Sequence, residues 1–578
     1  MENLSEILQA RATDSLKKIL KSDAPLAEIV QSTHPQFGHY QCNSAMELAK
    51  KTSRHPREIA EQIVKNWGLD ERVEKLEVAG PGFVNITLKK EFLDQELNRL
   101  ATDRRLGASP LKKRKKIIVE FSSPNIAKEL HVGHLRSTII GESLARLFEF
   151  LGHQVLRLNH IGDWGTQFGM LIAYLKEFQK EVLSGEKKAD LPALMDWYRE
   201  SKKLFDTNPA FKKRAQIEVV NLQKKEKEAL AVWETIREIS RKGFQEIYDW
   251  LDVSLIERGE SYYNETLPKV IEEYEAKGII QISDGAKCVF LEGFKGKDQA
   301  PLPLILQKSD GGYNYATTDT AALFQRIHIE KGDRILYVVD AGQRLHFQMV
   351  FAAAFKAGYY DPARVEIEHV PFGVVLGADG KKFKTRSGQT EKLIDLLKEA
   401  VYRAKILLKN RLPSVEEKDL EKLAKILGIN SVKYADLSCH RLKDYIFNYD
   451  RMLNFEGNTA AYLLYSYVRI QGIKEKCNRN IDLLSHSARI QLTHPTEIAL
   501  GLKLRQFGEA LTLMDRDLLP NRLSDYLYHL AEKFHAFFRD CRVKGSPQED
   551  SRLLLCELTS QILQKGLYIL GLKTMDRM

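Results

Sequence analysis

Hydrophobic and polar positions follow a strand–helix–strand pattern from residue 116 onward. An apolar run at 116–121 precedes a helix-patterned stretch at 135–151, and a second apolar run follows at 154–159. This spacing is typical of a βαβ unit, which predicts a parallel sheet with ligand sites at the carboxyl ends of its strands. After a long interval the pattern returns, with a strand, a helix and a strand predicted at 334–339, 346–357 and 365–375.

The rest of the chain surrounds this α/β pattern. Residues 1–110 mix helical periods with short strand-like pieces, which predicts a small N-terminal α+β domain. A catalytic domain is expected at 111–390, interrupted at about 166–305 by a strongly helical insertion with one strand-like piece at 287–291. Two βα halves separated in this way predict a split Rossmann-like fold. A helical connection at 391–417 and an all-α bundle at 418–578 complete the prediction.

Composition restricts the class of protein. The chain has 578 residues, 43% of them hydrophobic and 29% charged, and we expect a soluble multidomain protein without membrane spans. Its six cysteines form no C-x-x-C pair, which argues against structural zinc and disulfides and favours the cytoplasm. The net charge of +10 favours a polyanionic partner.

The tetrapeptide His131-Val132-Gly133-His134 lies between the first predicted strand and its helix. A helix N-terminus attracts phosphate through its free N–H groups, and imidazoles can bind phosphate oxygens as charge develops in a transition state. Gly133 is expected to let a flat base or ribose approach the backbone. The sequence thus predicts a phosphate-binding turn.

A second candidate is the glycine-bounded, lysine-rich loop at 377–388, which follows the second half of the predicted sheet. Its glycines permit movement, and its lysines can follow a triphosphate during a reaction. Together, the loop and the histidines suggest the two halves of an adenylation site.

Several motifs carry a resemblance to a known family. His131-Val-Gly-His134 resembles the first signature of class I aminoacyl-tRNA synthetases, and Lys382-Phe-Lys-Thr-Arg386 resembles a degenerate second signature. The wider match is to arginyl-tRNA synthetases of bacterial type and covers essentially the whole chain. It rests on FGHYQCN at 37–43, FSSPNIAKELHVGHLRST at 121–138, NHIGDWGTQFG at 159–169, YATTD at 315–319, EGNT at 456–459 and MDRM at 575–578.

The resemblance implies ATP-dependent formation of arginyl-adenylate from L-arginine, followed by transfer to tRNA(Arg), with Mg²⁺ bound to ATP and no metal site of the protein's own. The implied catalytic residues are Lys128, His131, His134 and Lys384, and the implied ATP-binding residues are Pro124, Val132, Gly133, Lys382 and Arg386. Thr385 stands where the second signature usually has another lysine. Either Lys128 or Arg386 could replace that cation.

A guanidinium offers only donors, so its pocket requires acceptors. Asp319 is the best candidate, and Tyr315 would share a helical face with it. The family pattern adds further pocket positions at Glu120, Ser123, Asn125 and Gln343. Glu120 is expected at the α-amino or carboxylate end of the substrate, or at its guanidinium.

The same resemblance implies a monomer that binds tRNA at several places. The C-terminal bundle is expected to contact the anticodon loop through Tyr462, Tyr465 and Arg469, since aromatics and cations together bind unpaired bases. The N-terminal domain is expected to touch the tRNA elbow, with Gln41 and Asn43 as candidate contacts, although Asn43 could equally hold a turn. Two alternatives stay open at this point: an adenylating class I enzyme for another amino acid, and a catalytically silent tRNA-binding relative.

Overall fold

The computed structural model of the chain describes residues 1–20, 23–165, 167–296, 298–377, 379–381 and 392–578, without the side chains of Pro35 and Asp482. Two compact units are present. The first comprises Met1–Lys112, Leu408–Asp419 and Leu453–Met578, and the second comprises Lys113–Leu407 and Leu420–Met452. The first unit therefore contains both the predicted N-terminal domain and most of the predicted C-terminal bundle.

The N-terminal segment folds as a four-stranded antiparallel sheet with helices, as its mixed pattern predicts. The strands are ordered β1-β2-β4-β3. Its elements are α1 (Leu4–Leu20), β1 (Ile29–Gln31), β2 (Tyr40–Cys42), α2 (Ser44–Thr52), α3 (Pro56–Trp67), β3 (Val73–Ala79), β4 (Phe83–Leu88) and α4 (Lys90–Thr102), with a 3₁₀ turn at Pro35–Phe37. Pro56 suits the first turn of α3, where its missing N–H costs no helical hydrogen bond.

The second unit is built on a five-stranded parallel sheet. Its elements, in chain order, are β5 (Lys116–Glu120), α5 (Val132–Leu151), β6 (Gln154–Asn159), α6 (Gln167–Phe178), α7 (Lys180–Leu183), α8 (Leu191–Thr207), α9 (Pro209–Gln223), α10 (Lys227–Leu251), β7 (Ile256–Glu257), α11 (Leu267–Ala276), β8 (Gln281–Ser283), β9 (Ala286–Lys295), β10 (Pro301–Gln307), α12 (Tyr315–His328), β11 (Arg334–Tyr337), α13 (Arg344–Lys356), β12 (Glu366–His369), β13 (Val375–Leu376), α14 (Leu393–Arg411), α15 (Glu417–Leu437), β14 (Tyr445–Ile446) and α16 (Tyr449–Met452). Two 3₁₀ turns lie at Glu260–Tyr263 and Ala341–Gln343.

Strand order in this sheet is β12-β11-β5-β6-β7, so the strand that precedes the histidines is central. Ile117, Ile118 and Val119 are buried, as expected for a parallel strand covered on both faces. The register pairs Glu120, the last residue of β5, with Tyr337, the last residue of β11. The carboxyl ends of both predicted halves therefore meet at one edge of the sheet. The predicted α/β fold is confirmed in this respect.

The region predicted as a helical insertion differs from that prediction. It does contain α6–α11, but β7 joins the central sheet and β8–β10 form a three-stranded antiparallel sheet in the order β10-β9-β8. The sequence pattern did not predict β10 because it contains Pro301 and Pro303, and proline is disfavoured in central strands. They are tolerated here because β10 is an edge strand. The assigned start of the insertion, Thr166, lies outside the described residues.

The C-terminal segment forms the predicted helical bundle, with α17 (Ala460–Cys477), α18 (Ile481–Ser487), α19 (Pro495–Arg505), α20 (Phe507–Asp517), α21 (Asn521–Asp540) and α22 (Glu549–Ile569). The expectation of continuous helix after 390 is wrong at one point, where β14 pairs in parallel with β13. Strands of two residues are too short to produce a periodic signal.

Within the described ranges, no helix is both long and apolar enough to cross a membrane.

Candidate active site

The loop between β5 and α5 is held in an unusual backbone conformation. Ser122, Ser123 and Ala127 all have positive φ, at 73°, 46° and 59°. Non-glycine residues rarely adopt this region, and they do so mainly where surrounding contacts enforce it. The Ser123 N–H donates to Asn159 Oδ1 over 3.0 Å, and Ser122 Oγ lies 2.8 Å from the hydroxyl of Tyr248.

Tyr248 is a supporting residue that the sequence pattern did not identify. It belongs to α10, inside the region predicted as an insertion, and its hydroxyl also accepts from Asn159 Nδ2 over 3.1 Å. The helical region therefore helps to build the loop that carries the predicted site residues. Beside it, Ser123 Oγ is buried without a hydrogen-bond partner among the described residues, so its capacity to donate and accept is not used there.

His131 and His134 begin α5 as a reciprocal capping pair. Gly133 N–H donates to His131 Nδ1 over 3.0 Å, and His131 N–H donates to His134 Nδ1 over 3.1 Å. Because each Nδ1 accepts a backbone hydrogen bond, the proton of each neutral ring is on Nε2. Both rings therefore present an Nε2–H donor at the N-terminus of a 20-residue helix, where an anion is favoured.

Electrostatics keep both rings neutral at pH 7. Desolvation, and then the positive charge of Lys128, lower the pKa of His131. The pKa of His134 falls to about 3, because of desolvation first and then because of His131 and Lys128. Lys128 therefore lies close enough to both histidines to act on the same anion.

Gly133 lies directly beside the ring of His131. A Cβ at this position would lie 2.8 Å from Cε1 of His131, so the missing side chain leaves room for the ring. The adjacent Val132 is buried, as is Pro124, whose carbonyl accepts from Gly162 N–H over 3.0 Å. The expected contacts of these three residues with ATP stay predictions.

Asp319 lies on α12 with a histidine near each carboxylate oxygen. His346 Nε2 is 2.5 Å from Oδ2, and His160 Nε2 is 4.0 Å from Oδ1. The sequence pattern identified neither histidine as a site residue, because they lie on α13 and after β6, far from Asp319 in the chain. The contact with His346 fixes the orientation of the carboxylate, whereas His160 lies beyond hydrogen-bond distance.

Glu260 is a further carboxylate near Asp319, and sequence reasoning missed it. Desolvation raises its pKa to about 8, and the negative charges of Asp319 and Asp163 add to this rise. Asp163 is fully buried and accepts from the Ser261 N–H over 2.8 Å, which fixes it beside the turn that carries Glu260. A carboxyl with a raised pKa in a group of acids indicates a site suited to a cation.

The other predicted pocket residues have mixed environments. Tyr315 is the first residue of α12 and is 71% exposed, and Gln343 is exposed at the end of a 3₁₀ turn after β11. Asn125 forms an isolated bridge with Gly162. Glu120 is buried and its carboxylate contacts the guanidinium of Arg326.

The predicted second signature falls mostly outside the described part of the chain. Lys382, Lys384 and Arg386 are not among the described residues. Before them, Gly377 N–H donates to the carbonyl of Lys381 over 2.8 Å, in a turn that Gly380 permits with a φ of 72°. After them, Lys392 pairs with His131 as a backbone bridge.

The described residues also contain no cluster of three His, Cys, Asp or Glu side chains that could hold a metal ion.

In the first unit, the predicted anticodon residues are close together on α17. The Tyr465 and Arg469 side chains contact each other, and the Arg469 guanidinium lies 4.5 Å from the Tyr465 ring centre. His535 of α21, which the sequence pattern missed, lies between them, with its ring 5.1 Å from Tyr462 and 6.3 Å from Tyr465. Tyr467, by contrast, is buried core.

The predicted elbow residues lie beside β2. Gln41 Nε2 donates to Asn85 Oδ1 over 2.9 Å across the sheet. Asn43 precedes α2, but its side chain makes no capping hydrogen bond and its Oδ1 is buried without a partner in the described residues.

Comparison with protein families identifies three regions of the chain. A family described as tRNA synthetases class I (R), catalytic domain, matches residues 96–449. The DALR anticodon binding domain matches residues 463–578, and the arginyl tRNA synthetase N terminal domain matches residues 6–88.

Curated relatives match over the full length. The arginine–tRNA ligase of Protochlamydia amoebophila is 57% identical over 580 residues, which cover 100% of this chain and 99% of the relative. That of Trichodesmium erythraeum is 49% identical over 586 residues, covering 100% of both chains.

Solved structures agree. The crystal structure of arginyl-tRNA synthetase from Plasmodium falciparum superposes with a TM-score of 0.88 at 34% identity, covering 100% of both chains. Thermus thermophilus arginyl-tRNA synthetase, at 22% identity, shares the fold with a TM-score of 0.83 and covers 100% of both chains. The histidine turn, the acidic group around Asp319 and these full-length matches agree, and the chain belongs to the class I arginyl-tRNA synthetase family.

Proposed function

We propose that the chain activates L-arginine with ATP and transfers it to tRNA(Arg). The observation that carries this proposal is the meeting, at one edge of the parallel sheet, of an anion-binding helix start and an acidic pocket. The carboxyl ends of β5 and β11 are paired, and β5 leads to His131. Asp319 contacts His346, which lies on α13, the helix that follows β11. Such a site can hold a triphosphate and a cationic amino acid side by side.

In the activation step, the arginine carboxylate attacks the α-phosphate of ATP and pyrophosphate leaves. The Nε2–H groups of His131 and His134 donate to phosphate oxygens as negative charge accumulates on them. Lys128 adds a positive charge close to both rings. Lys384 holds the leaving pyrophosphate, with Lys382 and Arg386 nearby in sequence. ATP enters as its magnesium complex.

The acidic pocket takes the guanidinium of the substrate. Asp319, oriented by His346, accepts from its planar donors, and Glu260 supplies a further carboxylate. Tyr315 covers the pocket from the start of α12, and Glu120 lies at the end of β5. The unpartnered Ser123 Oγ, with Asn125 and Gln343, binds the α-amino and carboxylate end. A compact ammonium would leave acceptors unpaired, so lysine is rejected.

In the transfer step, the terminal adenosine of tRNA attacks the carbonyl of the adenylate and releases AMP. The helical region at about 166–305 receives the acceptor end. The patch formed by Tyr462, Tyr465 and Arg469 stacks on anticodon bases, and Gln41 and Asn43 contact the elbow. A cytoplasmic monomer belongs to the same proposal.

Arginine-dependent exchange of pyrophosphate into ATP, measured with and without tRNA(Arg), tests the proposal. We expect exchange with arginine and not with lysine, and at least a hundredfold loss in His131→Ala. His486→Ala, which changes an exposed histidine of α18, serves as the matched control and should exchange normally. Exchange with another amino acid would identify a different adenylating enzyme. Tight tRNA binding without exchange under either condition would identify a silent relative.

A further inference from the structure

A second guanidinium, that of Arg326, is buried on the helix that carries Asp319. Arg326 is fully buried on α12, two helical turns after Asp319 and therefore on the same side of that helix. A buried cation is costly unless a carboxylate and hydrogen-bond acceptors surround it. Among the described residues, Glu120 is the one carboxylate in ion-pair contact with it.

The surroundings of this pair hold the guanidinium in place. Its central carbon lies 4.9 Å from the ring centre of Tyr337, the residue that is in register with Glu120 across β5 and β11. Nε, Nη1 and Nη2 of Arg326 are all buried and make no well-aligned hydrogen bond with any described residue, although Nη2 is in ion-pair contact with Glu120; the hydroxyls of Tyr263 and Tyr337 are likewise buried without a hydrogen-bond partner among the described residues. Glu120 is thus the principal partner of a large, otherwise under-satisfied cation.

We propose that Arg326 is a positioning residue of the arginine pocket. It fixes the Glu120 carboxylate through one oxygen and balances its charge, so that the other oxygen can accept from the guanidinium of the substrate. Asp319 then supplies the net negative charge that the substrate neutralises. This inference rests on the proposed function, because it assigns a partner to one wall of the same site.

The alternative is that Arg326 serves only to fill the core of the second unit. The two roles differ in how Arg326 depends on Glu120. If Arg326 acts through Glu120, substituting it should weaken substrate binding in the parent chain but not in a chain whose Glu120 is already changed. If Arg326 only fills the core, its substitution should weaken binding equally in the two chains.

Equilibrium binding of L-arginine to the full chain, measured by titration calorimetry, distinguishes these roles. We expect Arg326→Gln to weaken binding by at least tenfold, because the Glu120 carboxylate loses the cation that holds it. In a Glu120→Gln background, the same change should alter the affinity less than twofold. Equal losses in the two backgrounds would overturn the proposal.

Two controls keep these outcomes separate. Arg146→Lys changes another largely buried arginine, which pairs with Glu142 over 2.6 Å on α5, and should leave arginine affinity unchanged. Arg326→Lys retains the charge and should bind arginine more tightly than Arg326→Gln, and it replaces that variant if the latter does not fold.

If the parent chain itself binds no arginine, the proposed function fails and this inference fails with it. If the parent binds but the Glu120 background changes nothing, only the role of Arg326 is wrong.

Discussion

Individual residues around Asp319 owe their behaviour to neighbours that are distant in the chain. Glu260 has a raised pKa because it is desolvated and near Asp319 and Asp163, and His346 orients Asp319 through a direct contact. A site with several acids and little solvent is unfavourable when empty, and a guanidinium relieves the repulsion.

Arginine binding should depend on pH through Glu260. With a pKa of about 8, this carboxyl is largely protonated at pH 7, and the incoming guanidinium favours its charged form. Binding therefore releases a proton, and arginine affinity should rise as the pH increases from 6.5 to about 8. Calorimetry across this range should show the rise in the parent chain and its loss in Glu260→Gln. A flat profile in the parent chain would contradict the assignment.

Removing the Asp319 carboxylate should affect arginine binding above all. We expect Asp319→Ala to raise the KM for arginine by roughly tenfold or more, because a charged hydrogen bond contributes about 1.5–3 kcal/mol. Lysine should remain a non-substrate. Asp361→Ala, at an exposed aspartate of the same unit, is the matched control and should leave the KM unchanged. A normal KM in Asp319→Ala would exclude this residue from the pocket.

Lys128 should act on activation rather than on arginine binding. Its charge reaches both histidine rings, and phosphate is the anion expected there. Lys128→Ala should therefore depress pyrophosphate exchange strongly while the affinity for arginine stays within about twofold. Exchange should be compared with that of Arg386→Ala, the competing replacement for the missing lysine. Normal exchange in Lys128→Ala together with loss in Arg386→Ala would transfer the role to Arg386.

At the scale of elements, the start of α5 combines structural and chemical roles. The same Nδ1 atoms that cap the helix leave both Nε2–H groups directed away from the backbone bonds. A histidine side chain of this kind is fixed in tautomer and orientation before any substrate binds, which lowers the reorganisation needed in the reaction.

This pre-organisation can be tested through Gly133. A Cβ there would come within 2.8 Å of the His131 ring, so Gly133→Ala should displace the ring and lower adenylate formation at least tenfold, with arginine affinity unchanged. Gly472→Ala offers a helical control, since its added Cβ meets no atom within 4 Å. That change should preserve exchange and slightly stabilise α17. Normal exchange in Gly133→Ala would mean that the ring position is unimportant.

At the scale of the whole molecule, the first unit unites two ends of the chain through buried polar groups. Arg505 of α19 pairs with Glu96 of α4 over 2.8 Å, and both side chains are nearly inaccessible. Glu509 of α20 accepts from the Tyr40 hydroxyl over 2.8 Å and from Ser5 N–H over 3.0 Å. The N-terminal segment is therefore part of the same folded body as the bundle. The separate domain boundaries at 110 and 418 stay predictions.

Breaking this connection should destabilise the first unit alone. Arg505→Ala removes the buried partner of Glu96, which then keeps only the largely exposed Arg99 at 2.9 Å, and this costs up to about 3–5 kcal/mol. Thermal unfolding should show an earlier transition for that unit and an unchanged transition for the second. Arg516→Ala removes a largely exposed ion pair with Asp517 and should cost less than about 1 kcal/mol. Equal effects of the two substitutions would contradict a buried connection.

Local sequence patterns are enough to predict the β5–α5–β6 unit, the histidine turn at the start of α5, the helical bundle, and the family, whose motifs are short runs of neighbouring residues. They do not predict β10, where prolines are tolerated because that strand is at an edge, or β7, whose two residues carry no period. The side chains that surround Asp319, and the contact between Glu120 and Arg326, could be assigned from the fold alone. Periodicity reflects burial along one element, whereas a binding pocket and the pKa values within it depend on charges brought together from strands and helices far apart in the chain.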